Sequence, residues 1–432
     1  MTQNIGQTGE TSRLLRIAAT AQQQGRHAEA ARAFEQVLVR EPANPVALNA
    51  LGMQALGRKD YGAARDLFCR AADADPTASA LWLNLATAMR ALQDDAGERA
   101  ALERALQTDQ RLLMGHLRLA ELHERTGALA RAWQHWGAVL AVAQMIEPQP
   151  PELAPIIARA QAFVDERNRL FGAAIDEGLM AEREALGASD RRRFDAAIDA
   201  TLGRRRIYDN MCSGLRFPFL PADEFFDRAH FPWMEAIEAR TDAIRGELEA
   251  LLADTAEAFT PYVAMEKGTP DNIWSRLNHS LDWSALHLWR HGAQDSRTSA
   301  RCPETSAALA AVPQADLPRR SPTAFFSVLK PHTHIPPHGG VTNIRATCHL
   351  ALVVPPGCRF RVGGETREWR AGQCWAFDDT IEHEAWNDSD HMRAVLIFDV
   401  WNPYLTDVEK ALLRTFYITA DASGHDPGML AE

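Results

Sequence analysis

The chain has 432 residues, a hydrophobic content of 46% and a formal net charge of −11, values typical of a soluble globular protein with two or three domains. The acidic balance excludes a general nucleic-acid binder, because the sequence has no surplus of cations to neutralise phosphates. No apolar run approaches the length of about 18 residues that a membrane-spanning helix needs, so no transmembrane segment is expected.

The cysteines and the first residues bear on the cellular compartment. Six cysteines are scattered along the chain without a CxxC pair, so we expect free thiols in a reducing environment. Residues 1–7 are polar and lack the basic-then-apolar pattern of a signal peptide. A cytoplasmic protein is therefore expected.

Residues 11–146 repeat with a period of 34. Small residues recur in two series, at Ala18, Gly52, Ala86 and Ala120 and at Ala30, Ala64 and Ala132. Bulky residues recur at Phe34, Phe68, Leu102 and Trp136, and prolines recur at Pro42 and Pro76. Glu98 departs from the second small-residue series. The pattern resembles about four tetratricopeptide (TPR) repeats, with an irregular helical bundle as the alternative. Stacked TPR units form a groove that can hold a protein partner.

Residues 147–206 follow as a predicted helical connector. The prolines in 148–151 end the repeats, and apolar residues then resume helical spacing in 156–164. At the other end of the chain, residues 407–432 are predicted as a C-terminal tail.

Residues 207–406 have a different pattern, rich in prolines, aromatic residues and short strands. A helix is predicted over 234–252, and strand patterns occur at 283–289, 345–354, 358–362, 373–377 and 392–400, separated by Gly and Pro turns. Short strands at this spacing indicate an antiparallel jelly roll. The predicted fold is therefore multidomain α+β, with an all-α TPR solenoid followed by a double-stranded β-helix.

Two histidines at strand junctions, His338 and His383, are candidate metal ligands. A common iron site has two histidines and one carboxylate, which usually lies two residues after the first histidine, and here that position is Gly340. Either water completes the metal's coordination, or Asp378, Asp379 or Glu384 substitutes. From spacing alone, two polar loop histidines are an equally good interpretation.

Residues 207–406 resemble the aspartyl/asparaginyl β-hydroxylase family of iron(II)- and 2-oxoglutarate-dependent oxygenases. The resemblance lies in His338-Gly339-Gly340-Val341-Thr342-Asn343, His349-Leu350, the run from Phe377 to Trp386, and Arg393 with Asp399-Val400-Trp401-Asn402-Pro403. The family uses two histidine ligands without the carboxylate, so the resemblance implies that His338 and His383 bind iron(II).

The resemblance also implies a co-substrate site. Arg393 matches the residue that pairs with the distal carboxylate of 2-oxoglutarate, and Ser327 and His349 match further contacts. Vertebrate members carry an arginine where this chain has Thr347, and Arg345, on the same strand face by alternation, is expected to compensate. Gly339 replaces a more usual threonine.

The implied reaction consumes O2 and 2-oxoglutarate, releases succinate and CO2, and hydroxylates Asp or Asn side chains of a protein or peptide. Two alternatives stay open: the same chemistry on a lipid or small molecule, or an inactive TPR scaffold. Trp283, Trp289 and Trp386 are candidates for the pocket wall or ordinary core residues. Glu382 and Glu384 either orient a histidine ligand or face solvent.

Overall fold

The computed structural model describes residues 2–254 and 259–424, with residues 2–8, 188–189 and 254 described at backbone level only. The chain divides into two compact units, Met1–Arg191 and Arg192–Glu432. Within the described ranges, no helix combines the length and apolar character needed to cross a membrane.

The first unit begins with four consecutive helix pairs, as the period of 34 predicts. The helices are α1 Thr2–Gln23, α2 His27–Arg40, α3 Pro45–Gly57, α4 Tyr61–Ala74, α5 Ser79–Ala91, α6 Asp95–Thr108, α7 Leu113–Arg125 and α8 Leu129–Ala143. Each helix packs against the next one along the chain. This arrangement confirms the predicted repeats.

The recurring residues of the repeats meet at the helix contacts. The rings of Phe34, Phe68 and Trp136 are buried, and a Cβ atom added at Gly52 would lie 2.6 Å from the Phe68 ring. Asp60 and Asp94, 34 residues apart, cap α4 and α6 by accepting hydrogen bonds from Ala63 N and Gly97 N. The small residues thus give the helices their close approach.

Glu98, the departure from the repeat pattern, is only 1% exposed. Its carboxylate accepts a hydrogen bond from the Arg125 guanidinium at 2.6 Å, and Arg125 also binds Asp95. An acidic residue is tolerated at a small-residue position because the next repeat supplies its cation.

Three further helices occupy the segment predicted as a connector, namely α9 Ala154–Gly178, α10 Met180–Ala185 and α11 Ala188–Thr201. Helix α9 packs on α8, where Phe163 contacts the buried Trp136 ring. The boundary between the two units falls inside α11.

The second unit contains two antiparallel sheets. The strands are β1 Thr260–Pro261, β2 Trp283–Arg290, β3 Ala293–Gln294, β4 Ala324–Leu329, β5 Thr333–His338, β6 Arg345–Val353, β7 Cys358–Val362, β8 Glu365–Glu368, β9 Cys374–Phe377, β10 His383–Asn387 and β11 Arg393–Trp401. One sheet has the order β1-β2-β4-β11-β6-β9, with β3 beside β2, and the other has the order β5-β10-β7-β8. From β4 to β11 the chain crosses from one sheet to the other at every step except between β7 and β8, which pair in the same sheet, and this topology is typical of a jelly roll.

Side-chain alternation along β11 separates two cores. Ala394, Leu396 and Phe398 belong to a core that includes residues of the helices α13 (Thr241–Asp254) and α15 (Pro303–Ala310). Val395 instead joins Ile335, Phe360 and Ala385 of the second sheet in the core between the sheets. Arg393 and Asp399 are each an even number of residues from Val395 along β11. Their side chains therefore lie on the same face of the strand as Val395, toward the other sheet.

The structure differs from the sequence prediction at two helices. The predicted helix over 234–252 is interrupted, giving α12 Met234–Glu238 followed by α13. The predicted C-terminal tail instead forms α16 Asp407–Ala422, which a capping box of Thr406 and Glu409 begins. Leu413 and Tyr417 are buried in a cluster with Ile344 and Trp401, so hydrophobic contact orders this helix. The remaining helix, α14, spans Ser296–Arg301, and residues 425–432 of the predicted tail lie outside the described ranges.

Candidate active site

The two predicted metal ligands lie side by side where two strands pair. His338 is the last residue of β5, His383 is the first residue of β10, and the two are direct partners in the antiparallel register. Their ring centroids are 4.1 Å apart. An irregularity in the register follows between His383 and Ala385. The pairing of β5 with β10 therefore brings together two histidines that are 45 residues apart in the sequence.

Both imidazoles have the same hydrogen-bonding arrangement. Nδ1 of His338 lies 2.8 Å from the carbonyl oxygen of Pro336, and Nδ1 of His383 lies 3.0 Å from that of Ile381. A carbonyl oxygen only accepts, so Nδ1 carries the proton in each ring. The lone pair of each ring is then on Nε2, which is the atom available to a metal.

Burial keeps the two imidazoles neutral. It lowers the pKa of His338 and holds the pKa of His383 well below its ordinary value, where the neighbouring His338 adds to the effect. Neutral imidazole is the form that ligates divalent metals. Within the described ranges, no group of three or more His, Cys, Asp or Glu residues is arranged to hold a metal ion. The two histidines therefore stand without a third protein ligand.

Arg393 lies beyond the histidines as an uncompensated buried cation. It is 1% exposed, its guanidinium lies 4.7 Å from the centre of the Trp369 ring, and burial lowers its pKa to about 10. Nε and Nη1 have no hydrogen-bond partner among the described residues. Burying such a group is costly unless an anion completes its bonds. The structure therefore offers an anion site at Arg393.

Two neighbouring strands place the other predicted contacts beside Arg393. Ser327 of β4 and His349 of β6 pair with Val395 and Ile397 of β11 in the register. Nδ1 of His349 also lacks a hydrogen-bond partner in the described part of the chain. Burial, followed by the charge of Arg393, holds the pKa of His349 well below its ordinary value. Ser327 Oγ accepts a hydrogen bond from Trp283 Nε1 at 3.1 Å.

Residues 238–403 match the family model described as aspartyl/asparaginyl beta-hydroxylase. This range contains both histidines, Arg393 and strands β1 to β11. The second unit therefore contains a region similar to aspartyl/asparaginyl β-hydroxylases. We use "hydroxylase domain" below for residues 238–403.

Several curated relatives are similar to part of the chain. A human aspartyl/asparaginyl beta-hydroxylase is 38% identical over 138 residues, 32% of this chain and 18% of the human protein. An ornithine lipid ester-linked acyl 2-hydroxylase of Rhizobium tropici is 33% identical over 193 residues, 44% of this chain and 64% of that protein. Human aspartate beta-hydroxylase domain-containing protein 2 is 32% identical over 200 residues, 45% of this chain and 52% of that protein. The chain thus spans less than two thirds of each of these relatives.

The hydroxylase domain has a cavity of about 400 Å³ in front of the two histidines. Ser327, Arg345 and His349 also line it, whereas Arg393 is not among its lining residues. The cavity therefore brings together every predicted site residue except Arg393, whose charge adds to burial in lowering the pKa of the lining His349.

Arg345 lies on the predicted strand face, because Arg345, Thr347 and His349 all line the cavity. Its guanidinium donates a hydrogen bond to Asp399 Oδ2 at 2.7 Å, and both side chains are less than a tenth exposed. Asp399 pairs with Thr347 in the register of β11 and β6, so the ion pair runs diagonally across the two strands. Arg345 thus faces the site as half of an ion pair.

The carboxylates suggested as substitute ligands have different surroundings. Asp378 accepts hydrogen bonds from Thr380 and Asn210, and burial raises its pKa to about 6. Glu384 binds His334 and Arg361. Of the three, only Asp379 lines the cavity, where its Oδ2 accepts from Thr347 Oγ1 at 3.1 Å.

The two glutamates beside His383 do not hydrogen-bond to it. Glu382 and Glu384 both pair with Arg361. The backbone carbonyl of Ile381 orients His383 instead. Sequence reasoning considered only side chains for this role.

Aromatic residues form one wall of the cavity. Of the three tryptophans considered for the pocket wall, Trp283 lines the cavity. Trp386 instead stacks on His334, and Trp289 packs against the core that includes residues of α13 and α15. Sequence reasoning missed Tyr262, which stacks on Trp283 at 3.9 Å, and Trp274, whose ring lies 4.9 Å from that of His338. Trp274 belongs to an irregular segment, so no periodic pattern marks it.

Proposed function

We propose that the hydroxylase domain is an iron(II)- and 2-oxoglutarate-dependent dioxygenase that hydroxylates the β-carbon of Asp or Asn side chains in a protein or peptide. The observation that carries the proposal is a pair of adjacent neutral imidazoles in the same domain as a buried guanidinium, two of whose nitrogens have no hydrogen-bond partner among the described residues. The buried guanidinium is not explained by packing alone, because buried polar atoms are normally hydrogen-bonded.

The donor set suits iron(II). Nε2 of His338 and Nε2 of His383 would hold the metal, because Nδ1 of each ring is already engaged by a carbonyl. Iron(II) bound there, with O2 and 2-oxoglutarate, supplies the oxidising chemistry and yields succinate and CO2 together with the hydroxylated product. Two protein ligands leave open positions for the co-substrate and O2.

Arg393 is the proposed partner of the distal carboxylate of 2-oxoglutarate. A guanidinium offers parallel donors that match a carboxylate. Two nitrogens of Arg393, Nε and Nη1, have no hydrogen-bond partner among the described residues. His349 and Ser327 would add hydrogen bonds from the neighbouring strands. The protein thereby orients the co-substrate and keeps water from it, since these groups are almost fully buried.

The TPR repeats of the first unit are proposed to assist by holding a protein substrate or another partner. TPR stacks present a groove of this kind as a property of their architecture. The six scattered cysteines favour a reducing compartment, and we propose the cytoplasm.

A lipid is the second candidate substrate, because the Rhizobium tropici relative is named as an acyl 2-hydroxylase of an ornithine lipid. The cavity wall of Tyr262, Trp274 and Trp283 would also accept an apolar chain. Succinate formation stimulated by acyl lipids but not by peptides would favour this candidate.

The decisive experiment is an anaerobic titration of the full chain with iron(II) in the presence of 2-oxoglutarate, followed by the visible metal-to-ligand charge-transfer band. We expect a band in the wild type, none in His383→Ala, and a weakened one in Arg393→Ala. Arg370→Ala, which alters an exposed arginine near the sheet, is the matched control and should behave as wild type. No band in the wild type at any iron concentration would support the scaffold alternative and overturn the proposal.

A further inference from the structure

Few charged side chains face the cavity, and carboxylates outnumber cations among them. Among its described lining residues, the charged side chains are Arg345, Asp379 and Asp399. The three lining imidazoles, those of His338, His349 and His383, have pKa values lowered by burial and are neutral at pH 7. One cation therefore faces two carboxylates in a space of about 400 Å³.

That cation is already engaged. Arg345 Nη1 lies 2.7 Å from Asp399 Oδ2, and both side chains are less than a tenth exposed. Separating a buried ion pair leaves an uncompensated charge, which is strongly unfavourable. A substrate carboxylate would have to compete with Asp399 for the guanidinium in order to use it.

The proposed metal and co-substrate do not change this balance. Their charges cancel, because iron(II) is a dication and 2-oxoglutarate is a dianion. Arg393 is assigned to the distal carboxylate of the co-substrate, which leaves Asp379 beside the metal-binding end of the cavity. Every cation of the site then has an anionic counterpart before the substrate arrives.

From this balance, and resting on the proposed function, we propose that the site selects an uncharged reacting group, so that it hydroxylates asparagine in preference to aspartate. An amide adds no charge to the half-enclosed cavity. A carboxylate of the same shape adds a negative charge close to Asp379 and Asp399, where the low polarisability of the aromatic wall strengthens repulsion. Thr347, a neutral residue between the two carboxylates, determines this preference.

The test uses two synthetic peptide libraries with identical degenerate flanks, one with a fixed central Asn and the other with a fixed central Asp. The full-length protein is supplied with iron(II), 2-oxoglutarate and O2, and the oxygen added to each peptide is measured by mass spectrometry. We expect the initial rate with the Asn library to exceed that with the Asp library at least tenfold. Equal rates, or a preference for Asp, would overturn the inference.

Three variants test the cause. Thr347→Arg adds a cation beside Asp379 and is expected to shift the Asn-to-Asp ratio at least tenfold toward Asp, whereas Thr347→Gln, of similar length but neutral, should leave the ratio near that of wild type. Asp399→Asn removes one of the two negative charges that face the cavity and should shift the ratio in the same direction as Thr347→Arg, which keeps the test decisive if either variant folds poorly. An unchanged ratio in both charged variants contradicts the inference.

The metal-to-ligand charge-transfer band distinguishes a failure of the preference for asparagine from a failure of the proposed dioxygenase function. A normal band without hydroxylation of either library would overturn the preference for asparagine and leave co-substrate binding intact. Absence of the band would overturn the proposed function itself, and the inference with it.

Discussion

A Cβ atom placed on Gly340 would lie 2.4 Å from Cγ of Asp379 and about as close to both carboxylate oxygens. The backbone N–H of Gly340 donates to the carbonyl oxygen of Asp379 at 2.6 Å, so the two segments are in direct contact. The carboxyl group of Asp379 thus fills the space that a side chain two residues after His338 would occupy. A carboxylate ligand at position 340 is sterically excluded while Asp379 is present.

Gly340→Ala is expected to weaken iron(II) binding at least tenfold. The new methyl group must displace either the Asp379 carboxyl or the end of β5 that carries His338, at a cost of about 1–3 kcal/mol. Titration with iron(II) and thermal unfolding measure the two effects. The double variant Gly340→Ala/Asp379→Gly removes the clash and should recover most of the lost stability. A single variant that binds iron as wild type does would show that the contact is not restrictive.

Replacing Arg393 by Met should stabilise the metal-free and co-substrate-free protein while abolishing co-substrate binding. The variant removes a buried charge that lacks partners, and substitutions of that kind gain roughly 1–4 kcal/mol. Chemical denaturation gives the free energy of unfolding, and 2-oxoglutarate should raise it only in the wild type. Destabilisation by Arg393→Met would mean that the guanidinium is satisfied in the free protein.

Replacing either partner of the Glu98–Arg125 ion pair is expected to change the free energy of unfolding by different amounts. Arg125→Ala leaves the buried Glu98 carboxylate with its cation removed and should cost about 3 kcal/mol. Glu98→Ala restores the small residue found at the equivalent positions of the other repeats and should be neutral or stabilising. Denaturant unfolding gives the free energy of unfolding of both single variants and of the double variant, which together form a double-mutant cycle. Equal losses in the two single variants would contradict the expectation.

Asp378 should make stability fall as the pH rises. Burial outweighs the hydrogen bonds from Thr380 and Asn210 and raises its pKa from 3.8 to about 6. A carboxyl group with a raised folded-state pKa contributes its full stability below pH 4 and loses it as the pH rises through 6. The loss amounts to roughly 3 kcal/mol.

Asp378→Asn should lack this pH dependence, because an amide does not titrate. The difference in unfolding free energy between wild type and Asp378→Asn, measured from pH 4 to pH 7, isolates the effect from other groups. Asp271→Asn, at an exposed position, serves as the control. A difference that stays constant over this range would show that Asp378 is ionised throughout.

The repeat period and the strand patterns predicted most of the fold. Strand predictions at 345–354, 358–362, 373–377 and 392–400 agree with β6, β7, β9 and β11 to within one residue at each end. The 34-residue period placed small and bulky residues where the helices touch. These signals are readable because alternation and repeat spacing are local consequences of which face of an element is buried.

Sequence reasoning was least specific outside the repeats and the strand patterns. The helix α16 was predicted only as a tail, although Leu413 and Tyr417 are at helical spacing and Thr406 with Glu409 forms a capping box. Trp274 was missed because it lies outside any regular element, and α12 and α13 were joined because both have apolar spacing.

What the sequence determined by itself was the set of candidate site residues, namely two histidines at strand ends and an arginine on a later strand. Only the tertiary structure decided their chemistry: which nitrogen of each histidine is free, that Nε and Nη1 of the buried Arg393 have no hydrogen-bond partner among the described residues, and that Arg345 is bound to Asp399, 54 residues away. The reason is physical. Residue types and strand positions are encoded over short stretches of chain, whereas hydrogen-bond partners and burial arise from the register of strands distant in sequence.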